Sequence, residues 1–336
     1  MIKTKRNSTM YTIEALQEIL IAEIHSRLEK LKKCKPSELY QPVEYAMNIG
    51  GKRLRPVMLL LSYNLFSEEI ENALPAAYAI EAFHNFTLLH DDIMDKAEVR
   101  RNNPTVHRKF SENGAILSGD AMAFLSYRYL LECKSERLND VIGLFTQTAI
   151  EVCEGQQYDM DFENRLDVTE VEYLEMIRLK TAVLLGCSLK AGALLANQPD
   201  ELADQLYRFG LNLGWAFQLQ DDLLDTYGNQ KTFGKRIGGD IIANKKTYLL
   251  IKALNLASEK QLAELRGWIN TENVPGEIKI EAVTNIYNQL GIEGATEEKT
   301  DFYFEQSTKI LQSINLSEIQ KEQLKLLSKK ILKRDH

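Results

Sequence analysis

Asp91, Asp92 and Asp95 stand at positions i, i+1 and i+4 in the stretch HDDIMD, and Asp221, Asp222 and Asp225 repeat that spacing in QDDLLD. On a helix, at about 100° per residue, each triplet shares one face. Two carboxylates about 4 Å apart repel by roughly 4 kcal/mol at an effective dielectric of 20. Such clusters must be solvated, protonated or matched by something positive. One copy of the pattern is a solvated helix face as easily as a site. Two copies, each beside apolar residues (FHNFTLL before the first), point to a site. Carboxylates without Cys or His at ligand spacing suit hard cations, magnesium first. The calcium loop of an EF-hand is excluded, because neither stretch has its glycine-bearing twelve-residue loop ending in glutamate.

Cations gather near both triplets. GGKRLRP supplies Lys52, Arg53 and Arg55, preceded by Gly51. Arg100 and Arg101 follow the first triplet, and Lys235, Lys245 and Lys246 follow the second. Arginine forks and lysine point charges are what diphosphates require. The glycines would let backbone approach a phosphate closely. The GxxxxGK[ST] pattern of a P-loop is absent.

The elements that must hold these groups read as helices. In the N-terminal segment Ile13, Leu16, Ile19, Leu20, Ile24, Leu28 and Leu31 recur at three- and four-residue steps. No proline lies between 105 and 198 or between 200 and 274, which leaves room for long helices. The pattern predicts helices over 11–33, 38–48, 54–66, 74–94, 115–132, 138–160, 170–197, 201–226, 241–256, 277–290, 298–313 and 316–333. Alternating strand patterns are absent. The reading is one all-α domain over residues 1–336, with its motifs in 50–250 and C-terminal helices in 277–333. The segment 173–196 is apolar nearly all round, the mark of a central helix, yet carries Lys180 and Thr181 at its middle.

Bulk properties narrow the function classes. With 336 residues, 44% hydrophobic, the chain can bury a large core. A net charge of −7 argues against general affinity for nucleic acid. The four cysteines, Cys34, Cys133, Cys153 and Cys187, form no CxxC pair and fit a reducing cytosol, so a cytoplasmic protein is expected. The basic N-terminus runs into an amphipathic helix rather than a signal peptide, and no apolar run is long enough to insert in a membrane.

Taken in order, GGKRLRP, HDDIMD…RR…PTVH, SGDA, LKTA, FQLQDDLLD and FGKRIGGDI…NKKTY resemble the trans-isoprenyl diphosphate synthases, or polyprenyl synthetases, over most of the chain. The resemblance implies a helical bundle around a central cavity with the two triplets facing each other across its mouth. It implies a homodimer dependent on magnesium, usually three ions, with manganese able to substitute. The reaction would join an allylic diphosphate (dimethylallyl, geranyl or farnesyl) to isopentenyl diphosphate. Asp91, Asp95 and Asp221 would be the main metal ligands, supported by Asp92, Asp222 and Asp225. Arg100, Lys180 and Lys235 would grip the allylic diphosphate, with Lys245 among the substrate-binding residues. Gly51, Lys52, Arg55, His84 and Arg101 would serve isopentenyl diphosphate. The helix would kink at Lys180 and Thr181, whose oxygens, with Gln218, would face an allylic carbocation. A mid-helix Thr hydroxyl that bonds back to a carbonyl would be consistent with such a bend. His90 and His107 read as structural.

Phe83, Phe86 and Thr87 precede the first triplet where the family sets product length, a large ring stopping growth. The pattern resembles synthases of twenty-carbon products, geranylgeranyl diphosphate, with fifteen-carbon farnesyl diphosphate the rival. One departure is Asn102 where the family usually has glycine. Asn tolerates left-handed turns, so the loop shape should survive. Two other readings stand beside this one. A terpene cyclase would carry a different second metal motif, and a non-catalytic subunit would have lost aspartates.

Overall fold

The computed structural model describes residues 10–228, 237–271 and 274–332, and most of them are helical. The prediction of an all-α chain agrees with this. The helices that position the site are α1 (Ile13–Leu31), α2 (Ser37–Asn48), α3 (Leu54–Asn64), α4 (Leu74–Met94), the short α5 (Val106–Lys109), α6 (Glu112–Leu130), α7 (Leu138–Phe162), α8 (Glu170–Ile177), α9 (Val183–Leu195) and α10 (Asp200–Tyr227). Further helices span Gly239–Ile242, Tyr248–Leu256, Glu259–Asn270, Gly276–Gln289, Ile292–Ser313 and Glu318–Leu332. Among the described residues no helix is long and apolar enough to cross a membrane.

Contacts divide the chain into two compact units, one of residues 1–147, 187–207 and 314–327, the other of 148–186, 208–313 and 328–336. In the first unit α4 packs on α6. Ala76, Ala77, Ala79 and Ala82 are buried along α4, and small side chains let a neighbouring backbone come close. Gly119 of α6 is part of the same fit: a Cβ there would stand 2.3 Å from the His90 ring. In the second unit Phe162, Tyr173, Met176, Ile177, Leu219, Tyr248 and Ile251 share one apolar cluster.

Three local features differ from the sequence reading. The helix expected over 170–197 is interrupted at the expected kink by a π-helical turn, Arg178–Ala182, closed by the Val183 N–H donating to the Arg178 carbonyl. Two glycines admit this bulge: a Cβ on Gly155 of α7 would meet the Lys180 nitrogen at 2.3 Å, and one on Gly214 of α10 the Ala182 Cα at 2.4 Å. The helix expected over 241–256 breaks at 243–247. There Asn244 is left-handed (φ 54°), and the buried Lys246 ammonium donates to the Glu163 and Asn244 carbonyls at 3.0 and 2.9 Å. Helix Glu259–Asn270 was not anticipated. Only Leu265 of it is buried, and Gly267 lies within it, where glycine weakens the helical signal.

A small ribbon also appears where no strand was expected. Val99–Arg100 pairs antiparallel with Asn103–Pro104. Arg101 (φ 51°) and Asn102 (φ 61°) form its two-residue turn, both left-handed, the arrangement such tight hairpins need. The expected tolerance of Asn102 for this conformation agrees with the turn. The Tyr45 hydroxyl donates to the Pro104 carbonyl at 2.8 Å, and the Thr105 hydroxyl to the Ala97 carbonyl at 2.7 Å, which anchor the loop.

Candidate active site

The first triplet closes α4. Asp91 and Asp92 lie in its last turn and Asp95 is its C-cap. A helix C-terminus carries the negative end of the dipole, so three carboxylates there compound each other. Arg100, on the ribbon, answers part of that charge. Its Nε donates to Asp92 Oδ2 at 2.7 Å, and Nη2 lies 2.7 Å from Asp92 Oδ1 and 3.5 Å from Asp91 Oδ2. The Asp92 Oδ1 contact is an ion pair without hydrogen-bond geometry. Asp92 is buried, Asp91 half-buried and Asp95 exposed. Burial pushes the Asp92 carboxyl above its ordinary value against the pull of Arg100.

The GGKRLRP stretch enters α3 through three left-handed residues, Gly50 (φ 90°), Gly51 (φ 132°) and Arg53 (φ 50°). The Arg101 guanidinium donates to the Gly50 carbonyl, and a Cβ on Gly51 would lie 2.4 Å from it. Gly51 thus serves the approach of a guanidinium, a purpose the sequence did not suggest. Arg53 is buried and pairs with Glu81 while donating to the Met47 carbonyl. The Asn85 amide donates to Glu81 at 2.7 Å. Arg53 therefore locks the segment, and the exposed Lys52 is carried beside it.

Arg55 Nη1 stands 3.1 Å from His84 Nε2. Guanidinium only donates, so Nε2 accepts and the His84 proton sits on Nδ1. Burial first, then Arg55, Arg101 and Arg100, hold His84 well below its ordinary pKa of 6.5, and burial lowers Arg55 to about 10. Phe86 touches the His90 ring (centroids 4.8 Å) and Phe83 (5.5 Å), and Phe83 touches Phe145 (5.1 Å), which touches Tyr127 (5.1 Å). Phe83 is buried, whereas Phe86 and Thr87 are partly exposed. The Thr87 hydroxyl donates to the His84 carbonyl at 2.8 Å.

The second triplet lies in the last two turns of α10. Asp222 is buried; Tyr173 of α8 donates its hydroxyl to Oδ2, and Gln218 Nε2 donates to Oδ1 at 3.0 Å. The Thr181 hydroxyl donates to Gln218 Oε1 at 3.0 Å. Thus the bend at Thr181 does not rest on a hydroxyl bonded back along its own helix, as the sequence reading allowed; the hydroxyl turns to α10. Burial first, then Asp240, push the Asp222 carboxyl up to about 8, and burial raises Tyr173. Asp225 Oδ2 accepts the Asp240 N–H at 2.9 Å, tying α10 to helix Gly239–Ile242. Asp221 is half-buried.

Lys180 Nζ pairs with Asp159 Oδ2 at 2.6 Å. Lys245 is exposed and lines a small cavity with Thr226, Asp240 and Lys279, whereas Lys246 is buried. Lys235 lies outside the described residues. Glu81, Asp159 and Tyr173 escaped the sequence reading because each meets its predicted partner, Arg53, Lys180 or Asp222, only through folding. Among the described residues no three His, Cys, Asp or Glu side chains gather closely enough to hold one metal ion.

A family model described as polyprenyl synthetase matches residues 36–288. A geranylgeranyl diphosphate synthase of Methanosarcina mazei is 43% identical over 227 residues, 67% of this chain and 70% of that protein. A geranylfarnesyl diphosphate synthase of Natronomonas pharaonis is 38% identical over 282 residues, 78% of this chain and 80% of that one. A crystal structure of a geranylgeranyl pyrophosphate synthase overlays with a TM-score of 0.92 at 41% identity, covering 97% of this chain and 100% of its own.

Proposed function

The chain belongs to the polyprenyl synthetase family, whose prenyl transfer depends on metal, and from that premise we propose how this chain runs the reaction. It is a prenyltransferase that condenses an allylic diphosphate with isopentenyl diphosphate to a short-chain prenyl diphosphate. The product proposed is the twenty-carbon geranylgeranyl diphosphate. The observation that carries it is Phe86, a partly exposed ring five residues before Asp91, backed by Phe83, Phe145 and Tyr127 in successive edge-to-face contacts. A ring so supported resists displacement by a growing tail. The names of the relatives, for twenty- and twenty-five-carbon products, lie closer to this length than to fifteen carbons.

The donor set fits magnesium. The accessible donors are carboxylate oxygens, and an ion that keeps waters and takes substrate phosphate oxygens needs no closed protein cage. Asp91, Asp95 and Asp221 would be the main ligands of a cluster, usually of three ions, with Asp92, Asp222 and Asp225 supporting from buried positions. Bound there, magnesium supplies positive charge against which a diphosphate can leave. Arg100, Lys180 and Lys235 orient the allylic diphosphate. Lys52, Arg55, His84 and Arg101 hold isopentenyl diphosphate, with Gly51 admitting the Arg101 guanidinium and Lys245 adding charge nearby. The Lys180 carbonyl, Thr181 and Gln218 meet the allylic cation, and the departed diphosphate takes the final proton. A homodimer is part of the proposal: Leu117, Phe124 and Leu131 are 60%, 75% and 64% exposed at seven-residue spacing, an apolar stripe that a second copy would cover.

Incubation with isopentenyl diphosphate, each allylic primer and magnesium, followed by phosphatase and chromatography, tests this. Geranylgeraniol is the expected main alcohol, and chelator should abolish it. Phe86→Ala should lengthen the product by at least one isoprene unit. A fifteen-carbon end product, or an unchanged length in a folded and active Phe86→Ala variant, would overturn the length assignment.

A further inference from the structure

Four side chains of the second unit form an unbroken hydrogen-bond chain whose direction is fixed by chemistry. Asp222 Oδ2 is taken by the Tyr173 hydroxyl, and Oδ1 faces Gln218. A carboxylate oxygen only accepts, so the Gln218 amide must turn its NH2 toward Asp222. A proton on Oδ2, shared with Tyr173, would leave Oδ1 an acceptor all the same. Gln218 then has its carbonyl oxygen toward Thr181, 3.0 Å away. The Thr181 hydroxyl has a single hydrogen, and it is given to that oxygen. What Thr181 can offer any other partner is lone pairs alone.

A reversed amide would invert this end of the chain. Gln218 Nε2 would donate to Thr181, and the Thr181 hydrogen would be free to point elsewhere. A hydroxyl that presents hydrogen repels a cation, whereas one that presents lone pairs attracts it. The orientation of one amide therefore sets the sign of the local dipole.

We propose that Tyr173 is a positioning residue for catalysis. Together with Asp222 it holds Gln218 in the orientation that turns Thr181 into a pure acceptor toward a carbocation. The proposal rests on the reading that Thr181 and Gln218 face the allylic cation. It gives Asp222 a task other than metal ligation, and it brings Tyr173, outside both acidic motifs, into the reaction. Tyr173 is 2% exposed and its ring belongs to the apolar cluster with Phe162 and Tyr248, so Tyr173→Phe keeps the packing and removes only the hydroxyl.

The test uses two probes with inorganic pyrophosphate and magnesium: an allylic analogue with an ammonium nitrogen at the cationic carbon, and its uncharged isostere. The wild type should bind the ammonium probe more tightly. That preference should fall by about fivefold or more in Tyr173→Phe, as loss of one hydrogen bond allows. It should fall further in Gln218→Leu, which leaves Thr181 no acceptor for its hydrogen, and survive in Thr181→Ser. In turnover, Tyr173→Phe should lower kcat about tenfold, with KM for both diphosphates and the half-saturating magnesium within about twofold of wild type. An unchanged charged-to-neutral preference in Tyr173→Phe, whatever its melting temperature, overturns the positioning role. If Tyr173→Phe does not fold, Gln218→Leu decides the question by the same ratio. A wild type that binds neither probe overturns instead the reading on which the proposal rests.

Discussion

Asp92 and Asp222 are the second residues of identically spaced triplets, each near the C-terminal end of a long helix, yet their surroundings are opposite in kind. Asp92 is held by a charge, the Arg100 guanidinium. Asp222 is held by neutral donors, Tyr173 and Gln218, with Asp240 adding negative potential nearby. Burial raises both carboxyls, but only Asp222 is driven to about 8. Spacing alone therefore does not assign a role to each aspartate. In both triplets the middle residue is buried and engaged by its neighbours, and Asp225 is engaged by the Asp240 backbone. The more accessible carboxylates are Asp91, Asp95 and Asp221, the three expected as principal metal ligands.

The contrast can be broken first at the metal. Asp91→Ala or Asp221→Ala should each lower turnover on the order of a thousandfold, since on the proposed assignment both motifs hold the ions that stabilise the leaving diphosphate. Neither change should lower the melting temperature of the metal-free protein, because each relieves a repelling cluster. Full activity of either variant in excess chelator would sink the metal assignment.

Next comes the difference in kind between the two anchors. Arg100→Ala leaves Asp92 buried without its counter-charge and should cost roughly 3 kcal/mol. Adding Asp92→Asn should recover part of that. Tyr173→Phe removes one hydrogen bond and should cost only about 1 kcal/mol. Denaturant titrations would measure all three, and equal costs for Arg100→Ala and Tyr173→Phe would erase the distinction. A smaller effect is expected where a cation serves substrate: Arg55→Ala should raise KM for isopentenyl diphosphate about ten- to a hundredfold, the worth of a charge-assisted hydrogen bond. A change confined to the allylic substrate would contradict that assignment.

Much of this was legible before folding. The triplets stood out because residue type and helical spacing coincide, and the proline-free windows allowed α7 to α10 their length. What was hidden depends on contacts made by folding. Arg53 looked like its neighbours Lys52 and Arg55; its burial against Glu81 comes from distant helices meeting. The glycines of GGKRLRP signalled backbone freedom, but not that the object admitted is Arg101. Asn102 announced a left-handed turn, whereas Arg101 beside it, equally left-handed, did not, because arginine carries no such bias. Helix Glu259–Asn270 did carry signals, the capping box of Ser258 and Gln261 and apolar residues at 262, 265, 268 and 269.

The mildest test separates the triplets by pH. The first lies near His84, which burial first, and then Arg55, Arg101 and Arg100, keep neutral well below its ordinary 6.5. Unfolded, the same imidazole takes a proton near pH 6.5. Below that pH the unfolded chain binds more protons than the folded one, so stability rises with pH and is lost as pH falls. The loss from this group begins near pH 6.5, continues down to the depressed folded value, and reaches at most about 1.4 kcal/mol per pH unit. His84→Gln keeps an acceptor for Arg55 and removes the titration. In metal-free protein, the unfolding free energy of the wild type between about pH 6.5 and 5 should therefore fall more steeply than that of His84→Gln. Every other titrating group is common to the two proteins and cancels in the difference. Parallel curves would mean that His84 titrates normally when folded, and that neither its burial nor the arginines beside it act on it as their geometry requires.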